Sequence, residues 1–488
     1  MNIEGLNPGS KIYFVGIGGI SMSGLARIAY NYGYKVAGSD GHLSERTDEL
    51  VQSGIPVYQQ ENDANIISFA PDLVVYTAAI LPGNPELTYS RNRGITTVER
   101  SVFLGMLTNS FKDVINISGT HGKTTTTAMV TLILMESGIH PTMHLGAEMP
   151  AFKSSVYMGN GDGLFVSEAC EFKRSFLEFR STVACITNID YDHVDCYKDI
   201  DEVIEAFAKF SEKITPNGYL VVSANDKNIE KALSLMPAYR EALSLPMPTV
   251  ITTGVEGELS DDFTKEPDFY ATHVVFENGL AHFDVMHDGK LFTHIELKIP
   301  GTHNVRNALN AIACASLLGA SPKAAHDALA SFTGADGRFT YKGIYHGAAI
   351  ITDYAHHPSA TKATLEAASN MDFKHIWVVY QPLTYNRVEA LFNDYVAALV
   401  PCERVLFSEI FTDRENVENQ KISSKDIVAS INEQGGNAEF FASKEDIIEA
   451  LNACVHEGDL ILILGPEDIR ALGDRLAAIE KEKAGVSV

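Results

Sequence analysis

Ile117-Ser118-Gly119-Thr120-His121-Gly122-Lys123-Thr124-Thr125 is the stretch from which the fold can be read. Ahead of it, Val114 to Ile117 is an apolar run of the kind that forms a buried parallel strand. Two glycines then let the backbone turn tightly, so that its N–H groups can face an anion. Beyond Lys123 the pattern is helical through Met135, with Gly138 as the stop. Strand, glycine turn, Lys-Thr and helix together make a phosphate cradle. The turn N–H groups and the helix N-terminus take phosphate oxygens, Lys123 reaches the terminal phosphates, and Thr124 can ligate magnesium. A full P-loop has glycine where Ile117 stands, so this is a shortened form, Gly-x-x-Gly-Lys-Thr.

Outward from this loop toward the N-terminus lies a second strand, turn and helix. Lys11 to Ile20 runs apolar into the glycines Gly16, Gly18 and Gly19. A helix from Ser21 to Tyr32 and a strand from Lys35 to Ser39 follow, with Asp40 at the strand end. This is a βαβ nucleotide-binding opening. Its Gly16-x-Gly18-x-x-Ser21 spacing nearly matches the dinucleotide fingerprint, with Ser21 in place of the third glycine, and Asp40 sits where a ribose-binding acid is expected. NAD, FAD or another nucleotide fits this motif equally well. Further strands, Leu73 to Tyr76 and Thr96 to Val98, end the first domain at residue 112.

Outward in the other direction, the strands Leu164 to Ser167 and Val183 to Thr187 lead to Glu168 and to Asn188, Asp192 and His193. In a parallel sheet, ligands gather beyond the carboxyl ends of the strands, so the loop, Glu168 and His193 are expected on one edge. Lys, Thr, Glu and His suit magnesium phosphate chemistry. Within 241–299, Ala271 to Phe276, Leu280 to Met286 and Leu291 to Leu297 alternate and predict an antiparallel meander packed on the central domain. Gly301 to Asn307 then opens a helix through about Leu318 in which Asn304 and Asn307, three apart, share a face. From residue 332 a βα alternation begins. Asp353, His356 and Arg387 follow strand ends, which predicts a doubly wound parallel sheet with a polar rim. The fold class is therefore α/β in three domains: 1–112, 113–331 and 332–488. The tail after Lys483 is expected to fray.

Composition sets the outer bounds. A chain of 488 residues is too long for one core. Its formal charge of -25 argues against nucleic acid as the main partner. No run approaches the ~20 apolar residues of a membrane helix, and no signal-peptide pattern opens the chain. Six scattered cysteines without a CxxC pair suggest neither zinc nor a disulfide framework, and predict a reducing cytoplasm.

Several motifs together carry a family resemblance. Gly119-Thr-His-Gly-Lys-Thr-Thr-Thr-Thr127, Glu168-Ala-Cys-Glu171, Thr187-Asn-Ile-Asp-Tyr-Asp-His193, Gly301-x-His-Asn-x-x-Asn307 and Asp353-Tyr-Ala-His-His-Pro358 resemble the Mur ligases of peptidoglycan synthesis, in order and spacing. The opening Gly16-Ile-Gly-Gly-Ile-Ser-Met-Ser-Gly24 and the double histidine are most similar to the branch that adds L-alanine to UDP-N-acetylmuramate. The resemblance implies an ATP-dependent amide ligase working through an acyl phosphate. Its first domain would hold the UDP-sugar with Gly16, Gly18, Gly19, Ile20, Ser21, Met22, Ser23 and Asp40. ATP would lie on Gly119, Thr120, His121, Gly122, Lys123, Thr124, Thr125, His303, Asn304, Asn307, Arg338 and Asp353. Magnesium would be bound by Thr124 and Glu168 and a second metal ion by His193, with Lys123, Glu168 and His193 catalytic. Tyr354, His356 and Arg387 would form the alanine pocket, the arginine pairing with the amino-acid carboxylate. Closure of the domains is implied too, since the ATP and amino-acid groups come from different domains.

Three positions depart from the family pattern. Cys170 stands where many relatives carry Asp, Leu383 where a histidine often follows Gln-Pro, and Phe207 near the place of a carbamylated lysine that the alanine-adding branch usually lacks. The alternatives are a ligase that recycles a muropeptide onto UDP-N-acetylmuramate, a nicotinamide-dependent dehydrogenase and a non-catalytic nucleotide-binding regulator. The sequence leaves monomer and dimer open.

Overall fold

The computed structural model describes residues 3, 5–77, 79–80, 83–161, 163–259, 265–412, 415 and 420–483. The tail expected to fray lies outside the described residues. The chain is α/β and divides into two compact units. One comprises Met1–Ile189, Val203–Tyr270 and Ala308–Ala328, and the other Asp190–Glu202, Ala271–Asn307 and Leu329–Val488.

The first unit contains two sheets. In the N-terminal one, β1 (Lys11–Val15), β2 (Lys35–Ser39), β3 (Val57–Tyr58), β4 (Leu73–Tyr76) and β5 (Thr96–Glu99) lie in the order β3-β2-β1-β4-β5, all parallel. Tyr13, Phe14 and Val15 are fully buried, as a central strand covered on both faces requires. The buried Glu86 ties this layer together. It accepts hydrogen bonds from Tyr13 Oη (2.8 Å), Ser39 Oγ (2.5 Å) and Asn65 Nδ2 (2.8 Å).

The central sheet contains β6 (Asp113–Ser118), β7 (Thr142–Met149), β8 (Ser154–Tyr157), β9 (Leu164–Glu168), β10 (Ser181–Ile186), β11 (Ile214–Ser223) and β12 (Thr249–Val255). They run in the order β12-β11-β10-β6-β9-β7-β8. Only the β7–β8 pair among these is antiparallel. β12 lies ahead of the meander and was not singled out in the sequence; Thr249–Val255 pairs parallel with β11. Alternation in Thr-Val-Ile-Thr-Thr-Gly-Val does not report strand direction, which the partner sets.

In the second unit, β13 (Phe269–Glu277, whose first two residues belong to the first unit), β14 (Leu280–His287) and β15 (Lys290–Pro300) form the expected meander, with β14 and β15 antiparallel. The C-terminal sheet is built from β16 (Thr340–Tyr345), β17 (Ala348–Asp353), β18 (Ile376–Tyr380), β19 (Arg404–Phe407), β20 (Ala438–Phe440) and β21 (Leu460–Leu464), in the order β16-β17-β21-β18-β19-β20. Its strands bury alternate residues against helices on two faces. Val378, Tyr380, Leu462 and Leu464 pack with Tyr395, Val396 and Ile427, whereas Val379, Ile461 and Ile463 pack with Ile447, Leu451 and Leu472. That is the doubly wound arrangement. The sheet is not wholly parallel, however: β16 joins β17 antiparallel at one edge, through the short turn at His346 and Gly347. Thr340–Tyr345 is half-exposed and gave no apolar signal. Among the described residues, no helix is long and apolar enough to cross a membrane.

Candidate active site

β6 ends at Ser118 and the helix Lys123–Glu136 starts just past it. Gly119 has φ +132°, and a Cβ there would lie 2.0 Å from Thr187 Oγ1, so a side chain has no room. Gly122, at φ +83°, is the residue before the helix. The end of β10 shapes the loop. Thr120 N donates to Asn188 O (3.0 Å) and His121 N to Asn188 Oδ1 (2.9 Å). Thr187 Oγ1 and Asn188 Nδ2 donate back to His121 O (2.6 and 2.9 Å). The sequence motif gave Thr187 and Asn188 no role; here they fix the cradle.

Lys123 is folded onto its own loop. Its Nζ donates to Thr120 O (3.1 Å) and pairs with Glu171 Oε2 (3.0 Å). Burial alone would lower the lysine's pKa; the Glu171 carboxylate, aided by Cys170 and Glu168, outweighs it, and the net shift is upward. Glu171, 2% exposed, was quoted in the sequence motif without a role. It keeps the ammonium charged, the state that anion stabilisation needs.

Glu168 closes β9 in register with Ile117 of β6 and accepts a hydrogen bond from Gly146 N at Oε1 (2.9 Å). Thr124 lies in the first turn of the helix after β6 and is 5% exposed. One hydroxyl at the start of the helix after β6 and one carboxylate at the end of the neighbouring strand β9 are hard oxygen donors, so this part of the donor set fits magnesium. Phe207 is fully buried against Phe176, ring centroids 5.2 Å apart, and is a core residue.

At the N-terminal turn the helix Ile20–Asn31 has no side-chain cap. A helix start of this kind can receive an anion on its first-turn amides. Asp40 accepts from Gly18 N at Oδ2 (2.8 Å) and from His42 N at Oδ1 (2.9 Å), so its carboxylate holds the turn closed. Two residues absent from the sequence reading stand beside Ser21. Arg100 Nη1 donates to Ser21 Oγ (3.1 Å), and His144 Nε2 lies 3.1 Å from the same oxygen. Burial, with the Arg100 charge, pushes His144 down to about 4. Neither residue carries a motif, since each comes from a distant element.

In the second unit, Arg387 and Asp192 form a buried pair, Nε to Oδ1 at 2.7 Å. Burial pushes Asp192 up, but Arg387, then His193, His357 and His356, hold it well below the usual carboxylate range. Arg387 Nη1 also donates to Leu383 O (3.1 Å), a backbone contact that a histidine at 383 would equally supply. The guanidinium's five donors exceed these bonds, so the same fork can still receive a carboxylate. His193, at φ +52°, donates its backbone N–H to Asp192 Oδ1 (2.6 Å). His357 caps the helix Pro358–Ser369, and its Nε2 lies 3.1 Å from Tyr191 O. His356 is pushed well below its ordinary value by burial and by Arg387, and so is neutral, with Nδ1 2.7 Å from Tyr354 O.

Tyr354 lies under two guanidinium groups, Arg338 at 5.1 Å and Arg470 at 5.6 Å from the ring centroid. Asp353 accepts from Phe339 N and Ala355 N (both 2.9 Å). Burial raises its pKa against Arg338, those two amides and Arg470. Asn307 Nδ2 donates to Asn304 Oδ1 (3.0 Å), and both are 5% exposed on one face of the helix Thr302–Ser316, as their spacing predicted. His303 lies in the first turn of that helix, next to Gly301 at φ +100°.

Three family models match the chain in order: the Mur ligase family catalytic domain over residues 11–112, the Mur ligase middle domain over 117–315 and the Mur ligase glutamate ligase domain over 337–466. The chain is 38% identical over 483 residues to a UDP-N-acetylmuramate–L-alanine ligase of Acetivibrio thermocellus, covering 99% of this chain and 98% of that one. It is 40% identical over 465 residues to one from Clostridium acetobutylicum, covering 95% and 96%. A UDP-N-acetylmuramate–alanine ligase from Thermotoga maritima has the same fold, with TM-score 0.77 and 28% identity, over 98% of this chain and 100% of that one. A murein peptide ligase from Psychrobacter arcticus shares the fold at TM-score 0.70 and 24% identity, over 98% and 99%.

Proposed function

The chain belongs to the Mur ligase family, and from that premise we infer that it is an ATP-dependent ligase joining L-alanine to UDP-N-acetylmuramate in peptidoglycan precursor synthesis. The carrying observation is the extent of the likeness to alanine ligases. It runs through the C-terminal domain, where the amino acid is chosen, as well as through the two nucleotide-binding domains. The dehydrogenase reading gives Lys123 and Glu168 no task. A non-catalytic regulator would have no need for a Lys123 held in the loop by a buried carboxylate.

A carboxylate is a poor acyl donor to an amine at neutral pH. Transfer of the ATP γ-phosphoryl group to the lactyl carboxylate makes an acyl phosphate, which the alanine amine attacks to give the amide, ADP and phosphate. The first step brings anions together, so positive charge must be concentrated where they meet. Lys123 and the loop amides provide it on the protein side. Magnesium, held by Thr124 and Glu168, would neutralise phosphate charge when bound, and His193 would ligate a second metal ion. The N-terminal turn and Arg100 hold the UDP pyrophosphate. The Asn304–Asn307 pair offers amide donors and acceptors that suit a purine edge, and Asp353 suits a ribose hydroxyl. Arg387, with its angle set by Asp192, receives the carboxylate of alanine beside Tyr354 and His356. The reading places the enzyme in the cytoplasm, in keeping with six free cysteines.

The test is ATP-dependent phosphate release with UDP-N-acetylmuramate and a panel of acceptors: L-alanine, glycine, L-serine and a muropeptide. Release with alanine well above the others is expected. Release with the muropeptide alone would move the chain to the recycling ligases, and no release from folded, magnesium-replete protein would overturn the reading.

A further inference from the structure

The meander has one face that the ligase reaction does not use. Along β14, Ala281, Phe283 and Val285 are buried while His282 and Asp284 alternate to the other side. Along β15, Ile295 and Leu297 are buried while His294 and Glu296 face the same way as those two. The register sets His282 opposite Glu296 and Asp284 opposite His294. A ring nitrogen of each histidine and a carboxylate oxygen of Glu296 all lie within 4.8 Å of one another. Asp284 is engaged differently: Oδ1 is 2.9 Å from His294 Nδ1, and Oδ2 is 3.1 Å from His273 Nδ1.

Cross-strand pairing accounts for two of these contacts, each contributing roughly 0.2–1 kcal/mol. It does not require His282, His294 and Glu296 to converge on one point. Nor does it require a carboxylate behind the His294 ring. Both features belong to metal sites, where a carboxylate on one imidazole nitrogen fixes the tautomer and aims the other nitrogen at the ion. Two imidazoles and one carboxylate are a set that zinc accepts, with a fourth position for water. Small side-chain rotations bring donors at this spacing to the roughly 3.3 Å edge of a tetrahedron with bonds of about 2 Å. Magnesium disfavours two imidazoles, which separates this set from Thr124 and Glu168.

We propose that this face of the meander binds one divalent transition-metal ion of the zinc class through His282, His294 Nε2 and Glu296, with Asp284 as the positioning residue for His294. The ion clips β14 to β15 and takes no part in amide formation.

The experiment is zinc binding by the chelator-stripped full-length chain, dialysed against zinc in excess magnesium, with metal analysis and thermal melting. The wild-type chain should retain one more zinc per chain than His282→Ala/His294→Ala, and zinc should raise the melting temperature of the wild type by more than that of the variant. Glu296→Gln, which keeps the volume and would preserve the fold should the double variant be unstable, should weaken the zinc affinity of this site at least tenfold. Asp284→Asn should weaken it about tenfold at unchanged stoichiometry. Equal zinc stoichiometry and affinity in the wild type, the double variant and Glu296→Gln would overturn the site. Unchanged affinity in Asp284→Asn alone would overturn the positioning role.

Discussion

The turn at Gly16–Ser21 and the loop at Gly119–Lys123 share one layout: a buried parallel strand, glycines, and a helix whose first amides face outward. Their charges differ. The first turn is closed by an acid, Asp40 on Gly18 N, and its cation, Arg100, comes from a helix some eighty residues away in sequence. The second carries its cation within the loop and holds it with the buried Glu171. Backbone amides suffice to hold a phosphate that stays intact. Moving a phosphoryl group between two anions calls for a full charge at a fixed place. On the proposed function the same local fold serves binding in one place and activation in the other, and the nearest charged side chain makes the difference.

The sharpest way to break this comparison is Lys123→Ala. Phosphate release should fall by roughly 10³-fold, with UDP-sugar affinity nearly unchanged by calorimetry. Losing both by the same factor would mean that the two turns do not divide the work. Next in size is a pH effect at the N-terminal turn. His144 titrates at about 4 when folded, against an ordinary value near 6.5. Above pH 6.5 neither folded nor unfolded chain protonates it. Below that, the unfolded chain gains the proton first, so stability is lost progressively toward pH 4, by about 3 kcal/mol in all. His144→Gln should flatten that part of the pH–stability curve in denaturant titrations at pH 7 and 4.5; parallel curves would show that burial of a neutral histidine plays no part.

Gly119→Ala sharpens the steric side. It meets Thr187 Oγ1 and an unfavourable φ, and should cost about 1–3 kcal/mol of stability, read as a lower melting temperature, together with weaker nucleotide binding. A wild-type melting curve would show that the loop can open without loss. The smallest effect belongs to Asp40→Asn. An amide keeps one acceptor oxygen where the carboxylate offers two, so one turn hydrogen bond goes, at about 1 kcal/mol. KM for the UDP-sugar should rise about fivefold with kcat nearly constant. A fall in kcat alone would give Asp40 a part in the chemistry.

What the sequence determined by itself is local and periodic. The cradle, the βα alternation, the placing of Glu168 at a strand end and the shared face of Asn304 and Asn307 follow from glycine, apolar runs and helical spacing, which act within a few residues. The family resemblance rests on those same stretches. Tertiary structure decided which distant groups answer them. Glu171 on Lys123, Asp192 on Arg387, Asn188 on the loop amides and Arg100 on Ser21 are contacts between elements far apart in the chain. So are the direction of β12 and of the edge strand β16, neither of which its own residues report. A buried charge accepts whatever partner the packing brings within reach, and a strand takes its direction from its neighbour, so neither leaves a mark in one stretch of sequence.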